Sequence, residues 1–211
     1  MIDFPQFMYG EVIDHQLCDY IVEWFDNNPC NHERFKHVGY EKSSQDGLLV
    51  SQSDYKGINL LEHYEQQLKC VASNYVYLYP GSAYVTMSPW KPQANHQIQK
   101  YLPGEGFRNL HVENLGSLLP SEHEDLIHKD LLHKSTISRH LVYMTYLNDV
   151  EDGGTQFPFQ NFVCPARKGL TIIWPAQWMF PHAGIVSFTK TKYIVTGWFG
   201  FYDQEKDKLH Q

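Results

Sequence analysis

The sequence predicts a mostly β chain with flanking helices, folded as one domain, and three observations predict it. Two helices stand out by their periodicity in the first third of the chain. From about residue 83 onward, β-branched and aromatic runs alternate with Gly, Pro and Asn punctuation. The 211 residues are 42% hydrophobic and 15% aromatic, enough to fill one real core, and only 19% charged, which excludes a disordered or coiled-coil chain. Many short strands without interleaved helices indicate a β-sandwich or barrel with helices packed outside. No internal repeat, low-complexity tract or linker divides the chain. A single domain over 1–211 is expected, with 1–82 as helical N-terminal support and 83–203 as the β core.

The elements follow in order. Over Asp14 to Asn27, Leu17, Tyr20, Ile21, Trp24 and Phe25 recur at i, i+3, i+4, i+7 and i+8, one helix face with Asp14 as N-cap. Over Asn59 to Tyr75, Leu61, Tyr64, Leu68, Val71, Ala72 and Tyr75 do the same. The polar stretch Asn31 to Lys56 reads as loops with short strands. Strands are expected at Asn95–Leu102, Phe107–Glu113, His140–Leu147, Asn161–Cys164, Leu170–Trp174, Ala183–Phe188 and Tyr193–Phe201. An insertion at 117–135 interrupts them. Within it Ser121-Glu122-His123-Glu124 reads as a capping box, and Leu126, Ile127, Leu131 and Leu132 continue at helical spacing. A short amphipathic helix over Ser121–Lys134 is expected to lie on the barrel as a substrate lid.

Composition narrows the function. A net charge of −7 removes the global basic footprint of a nucleic-acid binder. Cys18, Cys30, Cys70 and Cys164 show no C-x-x-C spacing, so neither a zinc ribbon nor a thioredoxin-type site is readable. Met1 to Pro5 carries no basic region followed by an apolar stretch, and the most apolar region, Leu170 to Phe180, is cut by Pro175 and Gln177. A soluble protein of a reducing compartment is expected, cytoplasmic, with no membrane partner.

Twelve histidines make metal chemistry worth testing residue by residue. His111 and Glu113 are two apart on an expected strand, where i and i+2 share a face. They can converge on one atom, and with a second, distant histidine they form a two-His-one-carboxylate set with open positions for ligands. Alone the pair is weak, because a chain rich in His and acids yields several by chance. His123/Asp125, His128/Asp130 and His63/Glu65 have the same spacing but fall on expected helices, where i and i+2 diverge, so a solvated helix face explains them better. His123 and His128 stand at i, i+5, which does not fit a zinc-protease helix. The candidate distant histidine is His182, in an aromatic-rich loop. Ten residues on, Lys192 shares a strand face with Ile194, Thr196 and Trp198. A lysine there either snorkels from an edge strand or meets a buried anion. Gln97, Gln99 and Tyr101 share another face, a polar inward stripe that suits a ligand-filled barrel better than a dry core.

Five segments resemble, in family order across about residues 95–201, the iron(II)- and 2-oxoglutarate-dependent dioxygenases of the prolyl 4-hydroxylase-like branch. They are Tyr101 to Phe107 followed by His111-Val112-Glu113; Arg139 to Asp149; Gly153 to Pro158; Gly169 to Ala176; and His182 with Lys192 to Trp198. The usual carboxylate is Asp; Glu113 is similar to an H-x-E form found among phage and marine microbial relatives.

The resemblance implies a double-stranded β-helix, a jelly-roll or cupin-like barrel, preceded by N-terminal helices. It implies iron(II) on His111, Glu113 and His182. It places the distal carboxylate of 2-oxoglutarate on Lys192, with Tyr146 and Thr196 hydrogen-bonding the same end. Tyr101 would line the pocket near the metal, and Trp198 would wall it. Dioxygen is the oxidant and ascorbate the reductant; succinate, carbon dioxide and a hydroxylated second substrate are the products. A prolyl residue in a protein or peptide is the family default. A free amino acid, a small metabolite or a non-catalytic binding protein of the same fold are the alternatives, as is a cupin-like metalloenzyme without 2-oxoglutarate, in which Lys192 would have no obvious task.

Overall fold

Asp14 begins helix α1 (His15–Asp26), its carboxylate accepting the Gln16 N–H at 2.9 Å. Leu17, Cys18, Ile21 and Phe25 are buried, while Tyr20 stays half exposed. Helix α2 (Asn59–Leu78) buries Leu61, Tyr64, Leu68, Val71, Ala72 and Tyr75, the six positions picked out by periodicity. The computed structural model describes residues 2–28, 33–36, 44–51, 59–84, 89–93, 95–114 and 138–201. The expected helix Ser121–Lys134, its 117–135 insertion and the pairs His123/Asp125 and His128/Asp130 lie outside the described residues.

The strands are β1 (Tyr9–Val12), β2 (Glu33–Lys36), β3 (Ser44–Ser51), β4 (Trp90–Pro92), β5 (Asn95–Tyr101), β6 (Arg139–Tyr146), β7 (Val150–Phe157), β8 (Phe162–Ala166), β9 (Leu170–Pro175), β10 (Ala183–Ile185) and β11 (Lys192–Phe201). A single turn of helix, α3 (Gly81–Tyr84), precedes β4. The larger sheet runs β1-β9-β6-β11-β5-β3-β2, with β4 also on β11; the smaller runs β10-β7-β8. All pairings are antiparallel. This is the two-sheet double-stranded β-helix that the sequence led us to expect.

Alternation along the central strands separates two cores. On one face Ile98, Tyr143, Ile173, Val195 and Phe199 pack against α1 and α2. On the other, Val142, Met144, Tyr146, Trp174, Ile194 and Trp198 face the small sheet's Phe157, Cys164 and Ala166. Between these inner faces lies the cavity.

Four expectations are corrected. The first third is not only helical: β1, which was not expected, joins one edge of the large sheet, and β2 and β3, short strands within the stretch Asn31 to Lys56 where such strands were expected, join the other. β7 lies outside the expected strands, its run broken in the sequence by Gly153-Gly154. It is carried through a register shift between Val150 and Thr155, where Gly154 has φ +123° and a Cβ would collide with the Cys164 carbonyl. The expected strand Ala183–Phe188 stops at Ile185, since Asp152 holds the following turn through Ser187 Oγ, Thr189 Oγ1 and Phe188 N, at 2.7–2.8 Å.

The fourth correction touches the site. Phe107–Glu113 is not a strand. It follows β10 through Gly184 N to Phe107 O and one isolated bridge, His111 with His182, in which each N–H donates to the other carbonyl. Asn109 turns its carbonyl to the His111 ring, and past His111 the chain leaves to bond Ala176 instead.

Candidate active site

The bridge puts His111 and His182 side by side, ring centroids 4.3 Å apart. Their Nδ1 atoms lie 2.8 Å from the Asn109 carbonyl and 3.0 Å from the Phe180 carbonyl. A carbonyl can only accept, so each Nδ1 carries a proton and each Nε2 turns inward, protonated where it donates to Glu113 and a lone pair where a cation takes that proton's place. Glu113 Oε1 meets those two atoms at 3.3 and 3.6 Å. The three donor atoms lie within 4.8 Å of one another. Two imidazoles and a carboxylate with converging lone pairs fit a borderline first-row cation.

Glu113 Oε2 is occupied differently. Arg139 donates to it at 2.9 Å and also to the Glu113 carbonyl at 3.1 Å, while Trp198 Nε1 donates at 2.9 Å. The Arg139 guanidinium lies 3.5 Å over the Trp198 ring. One carboxylate oxygen is thus anchored and the other presented to the histidines. Burial works against the Glu113 charge, but the hydrogen bonds and positive field of His111 and His182 outweigh it and hold the carboxyl well below its usual range. Burial likewise opposes a charged His111, and Glu113 reverses that effect, so the ring sits above the ordinary histidine value.

At the other end of the cavity Lys192 is 4% exposed. Its ammonium donates to the Ile185 carbonyl at 2.7 Å and lies 5.2 Å over the Tyr101 ring. Among the described residues no carboxylate forms an ion pair with it. Burial pushes Lys192 down to about 8, against a smaller opposing pull from the charge of Asp152. A buried cation without an anion, at the end of a cavity, fits a carboxylate-bearing ligand.

The cavity holds about 250 Å³ and brings every expected site residue to its wall: His111, Glu113, His182, Lys192, Tyr101, Tyr146, Thr196 and Trp198. Tyr146 Oη shares a 2.7 Å hydrogen bond with Thr155 Oγ1. Burial drives the Tyr146 phenol well above its ordinary value and Tyr101 upward too, with the Glu113 charge adding to the latter. Thr196 donates to the Tyr143 carbonyl at 3.0 Å and faces Gln97 and Met144, while the Lys192 level faces Tyr101. It therefore lies two levels from Lys192 along β11. His63 and Glu65 do not join the site; Glu65 approaches His96 behind the sheet, at 3.5 Å.

Sequence reasoning missed Arg139 and Thr155. Arg139 carries a signal in hindsight, an arginine opening a strand whose next seven residues alternate into cores. Thr155 carries none beyond its place after Gly153-Gly154.

Residues 96–200 match the family model described as the 2OG-Fe(II) oxygenase superfamily. No curated protein matches the chain in sequence. Among solved structures, the chain is similar to the viral collagen prolyl hydroxylase of Paramecium Bursaria Chlorella virus-1, solved as its 2OG complex. The TM-score is 0.60 at 12% identity, covering 94% of this chain and 97% of that one. A Pseudomonas putida prolyl-4-hydroxylase gives 0.58 at 10% identity, covering 93% and 94%. A Trichoplax adhaerens prolyl hydroxylase, in complex with a hypoxia inducible factor oxygen degradation domain peptide fragment, gives 0.58 at 9% identity, covering 96% and 87%. At these identities the likeness is one of fold.

Proposed function

Residues 96–200 belong to the 2OG-Fe(II) oxygenase superfamily, and from that membership we propose that the chain is a non-haem dioxygenase that hydroxylates a prolyl residue in a protein or peptide. The observation that carries the reading is the pairing of two His lone pairs and a Glu113 oxygen at one end of a cavity with an unpaired buried ammonium at the other. In this reading His111, Glu113 and His182 hold iron(II). Lys192 takes the distal carboxylate of 2-oxoglutarate, with the Tyr146 hydroxyl beside it. When bound, iron supplies open positions on which 2-oxoglutarate and dioxygen are activated for hydroxylation.

The chain's own residues supply the rest. The Asn109 and Phe180 carbonyls fix both histidines in the tautomer that presents Nε2. Arg139 and Trp198 hold Glu113 Oε2 so that Oε1 faces the histidines. Trp174 and Phe157 pack on the His182 ring, at 5.1 and 5.5 Å between centroids, and keep water from that side. Tyr101 and Trp198 wall the cavity, and Thr196 lies on β11 between Trp198 and the lysine. One domain spanning 1–211, dioxygen as oxidant and ascorbate as reductant belong to the same proposal. The prolyl substrate is supported by similar structures that are themselves prolyl hydroxylases. Among the described residues no helix is long and apolar enough to cross a membrane.

Anaerobic iron(II) titration with and without 2-oxoglutarate tests the reading. A weak visible charge-transfer band that needs both, followed in air by uncoupled succinate release, is the expected result. Iron binding without any 2-oxoglutarate-dependent band would leave a metal-binding barrel without this co-substrate.

A further inference from the structure

The cavity face of β5 carries Gln97, Gln99 and Tyr101, three polar side chains on one strand of a wall to which Phe107, Met144, Trp174, Ile194 and Trp198 give its apolar part. They form a directed chain. Tyr101 Oη donates to Gln99 Oε1 at 2.7 Å, and Gln99 Nε2 donates to Gln97 Oε1 at 2.8 Å. The direction is set at Tyr101, whose phenol proton goes to the Gln99 oxygen. The Gln99 nitrogen must then face the Gln97 oxygen, which turns Gln97 Nε2 away from the chain and into the cavity. Among the described residues nothing accepts its protons.

Strand register places this free donor. Tyr101 pairs with Lys192 and Gln97 with Thr196. The chain therefore starts at the anion end and runs four residues, about 13 Å at strand rise, toward the level next to Trp198, whose indole holds Glu113. Gln97 thus lies on the metal side of the cavity, away from the place a co-substrate carboxylate would take on Lys192. A glutamine held by its oxygen, with its N–H groups unspent, is a preorganised donor. It suits a neutral acceptor. Among the described residues a free carboxylate at that position would find no available cation, because Arg139 is engaged by Glu113 and Lys192 stands at the opposite end.

We propose that Gln97 is the specificity-determining contact for the second substrate, its Nε2 donating to a peptide carbonyl that flanks the oxidised residue. The substrate is then a residue within a peptide bond framework and not a free amino acid. This rests on the hydroxylase reading above and deepens it. A site built around such a donor discriminates far more strongly than an apolar wall, which separates neighbours by only roughly 10- to 200-fold.

The test compares the parent with Gln97→Met, which removes the amide, and Gln97→Glu, which still accepts from Gln99 but cannot donate. The probes are a panel of N-acetylated, C-amidated Xaa-Pro-Yaa tripeptides and free L-proline, with hydroxylated product and stimulated succinate release as readouts. Iron(II) and 2-oxoglutarate binding by the anaerobic band and thermal melting accompany them. In the parent, capped peptides should be hydroxylated and free proline should not. Both variants should lose about a hundredfold or more in peptide kcat/KM, with melting and 2-oxoglutarate binding retained. Unchanged peptide kcat/KM in either variant overturns the inference alone. So does a parallel loss of 2-oxoglutarate binding, which would make the chain a support for the anion end. A parent with uncoupled turnover that accepts no capped peptide overturns the inference and the prolyl reading together. A parent without the band or uncoupled turnover overturns the oxygenase reading itself.

Discussion

The two faces of the central sheet hold comparable polar side chains and treat them in opposite ways. On the helix-covered face Tyr64 bonds Thr145 at 2.9 Å, Thr145 bonds Thr171 at 2.7 Å, and Thr171 reaches the Gly169 carbonyl at 3.3 Å. Tyr143 and His96 close a further pair at 2.5 Å. Every one of these groups finds its partner inside the chain. On the cavity face His111 and His182 turn Nε2 toward one Glu113 oxygen, the Lys192 ammonium meets a backbone carbonyl, and the Gln97 amide nitrogen has no acceptor among the described residues. Buried polar groups are kept when something satisfies them. The helix face is satisfied by folding, and the cavity face is built to be satisfied by ligands.

Removing a proposed metal ligand breaks the comparison most severely. His111→Ala or His182→Ala should reduce iron-dependent 2-oxoglutarate turnover to background, while circular dichroism keeps the parental fold, because both rings line the cavity wall. Retained turnover in metal-defined His182→Ala would remove the assignment.

Lys192→Ala should come next, weakening 2-oxoglutarate binding far more than iron binding. Taking away one partner of a buried charge pair is worth roughly 3–5 kcal/mol, and Lys192→Arg should restore part of it. The free protein should respond in the opposite sense. Lys192 titrates near 8 when folded against an ordinary value of 10.5, so between those values the unfolded chain binds more protons and stability rises with pH. That contribution is fully present above about 10.5 and is lost as pH falls through 8. Lys192→Met should melt higher than the parent at pH 7 without ligand and should lack this slope. Denaturant titrations across pH 7–10.5 measure both effects, and an unaltered slope in Lys192→Met would place the titrating group elsewhere.

Glu113 sharpens the comparison within one residue, since its two oxygens serve different partners. Asp is one methylene shorter, about 1.5 Å of reach, so its carboxylate cannot keep Arg139 and Trp198 on one oxygen and the histidines on the other. Glu113→Asp should lower iron affinity and turnover by about tenfold, and Glu113→Gln should lower them further by removing the anion. Competitive iron titration gives the affinities; parental affinity in Glu113→Asp would mean that the anchored oxygen is incidental.

The same contrast explains what the sequence made legible. α1, α2 and the central strands β5, β6, β9 and β11 were readable because one or both faces are buried and the apolar period shows it. β2 and β3 were legible only as short strands somewhere within Asn31 to Lys56, β1 adds its backbone to a sheet whose apolar pattern is supplied by other strands, and β7 hides behind a glycine bulge. His111, Glu113, His182 and Lys192 were legible as residue types at family spacing. The expected strand under His111 and Glu113 is in fact an irregular segment, and the convergence survives because the His111–His182 bridge supplies the geometry. What no spacing could reveal is which oxygen of Glu113 is anchored, that the Lys192 ammonium donates to the Ile185 carbonyl, or which way the Gln97 amide points. Those depend on contacts between residues as far apart as Glu113 and Trp198.

The smallest expected effect lies on the closed face and acts as the control for the open one. Thr145 stands at the centre of its network, sharing one hydrogen bond with Tyr64 and another with Thr171, and it is fully buried. Thr145→Val keeps the shape and removes the hydroxyl, leaving the Tyr64 phenol without its partner in a site closed to water. A stranded buried group costs about 1–3 kcal/mol. Tyr64→Phe removes the other end of that bond and leaves Thr145 still paired to Thr171, so it should cost less. Both should retain parental turnover per folded molecule and parental 2-oxoglutarate binding, because Thr145 points away from the cavity while its neighbours Met144 and Tyr146 line it. Urea denaturation and a 2-oxoglutarate titration on the same samples separate the two quantities. If Thr145→Val altered 2-oxoglutarate affinity at unchanged stability, the faces would be coupled through β6, and the division between a face closed by folding and a face closed by ligands would fail at its central strand.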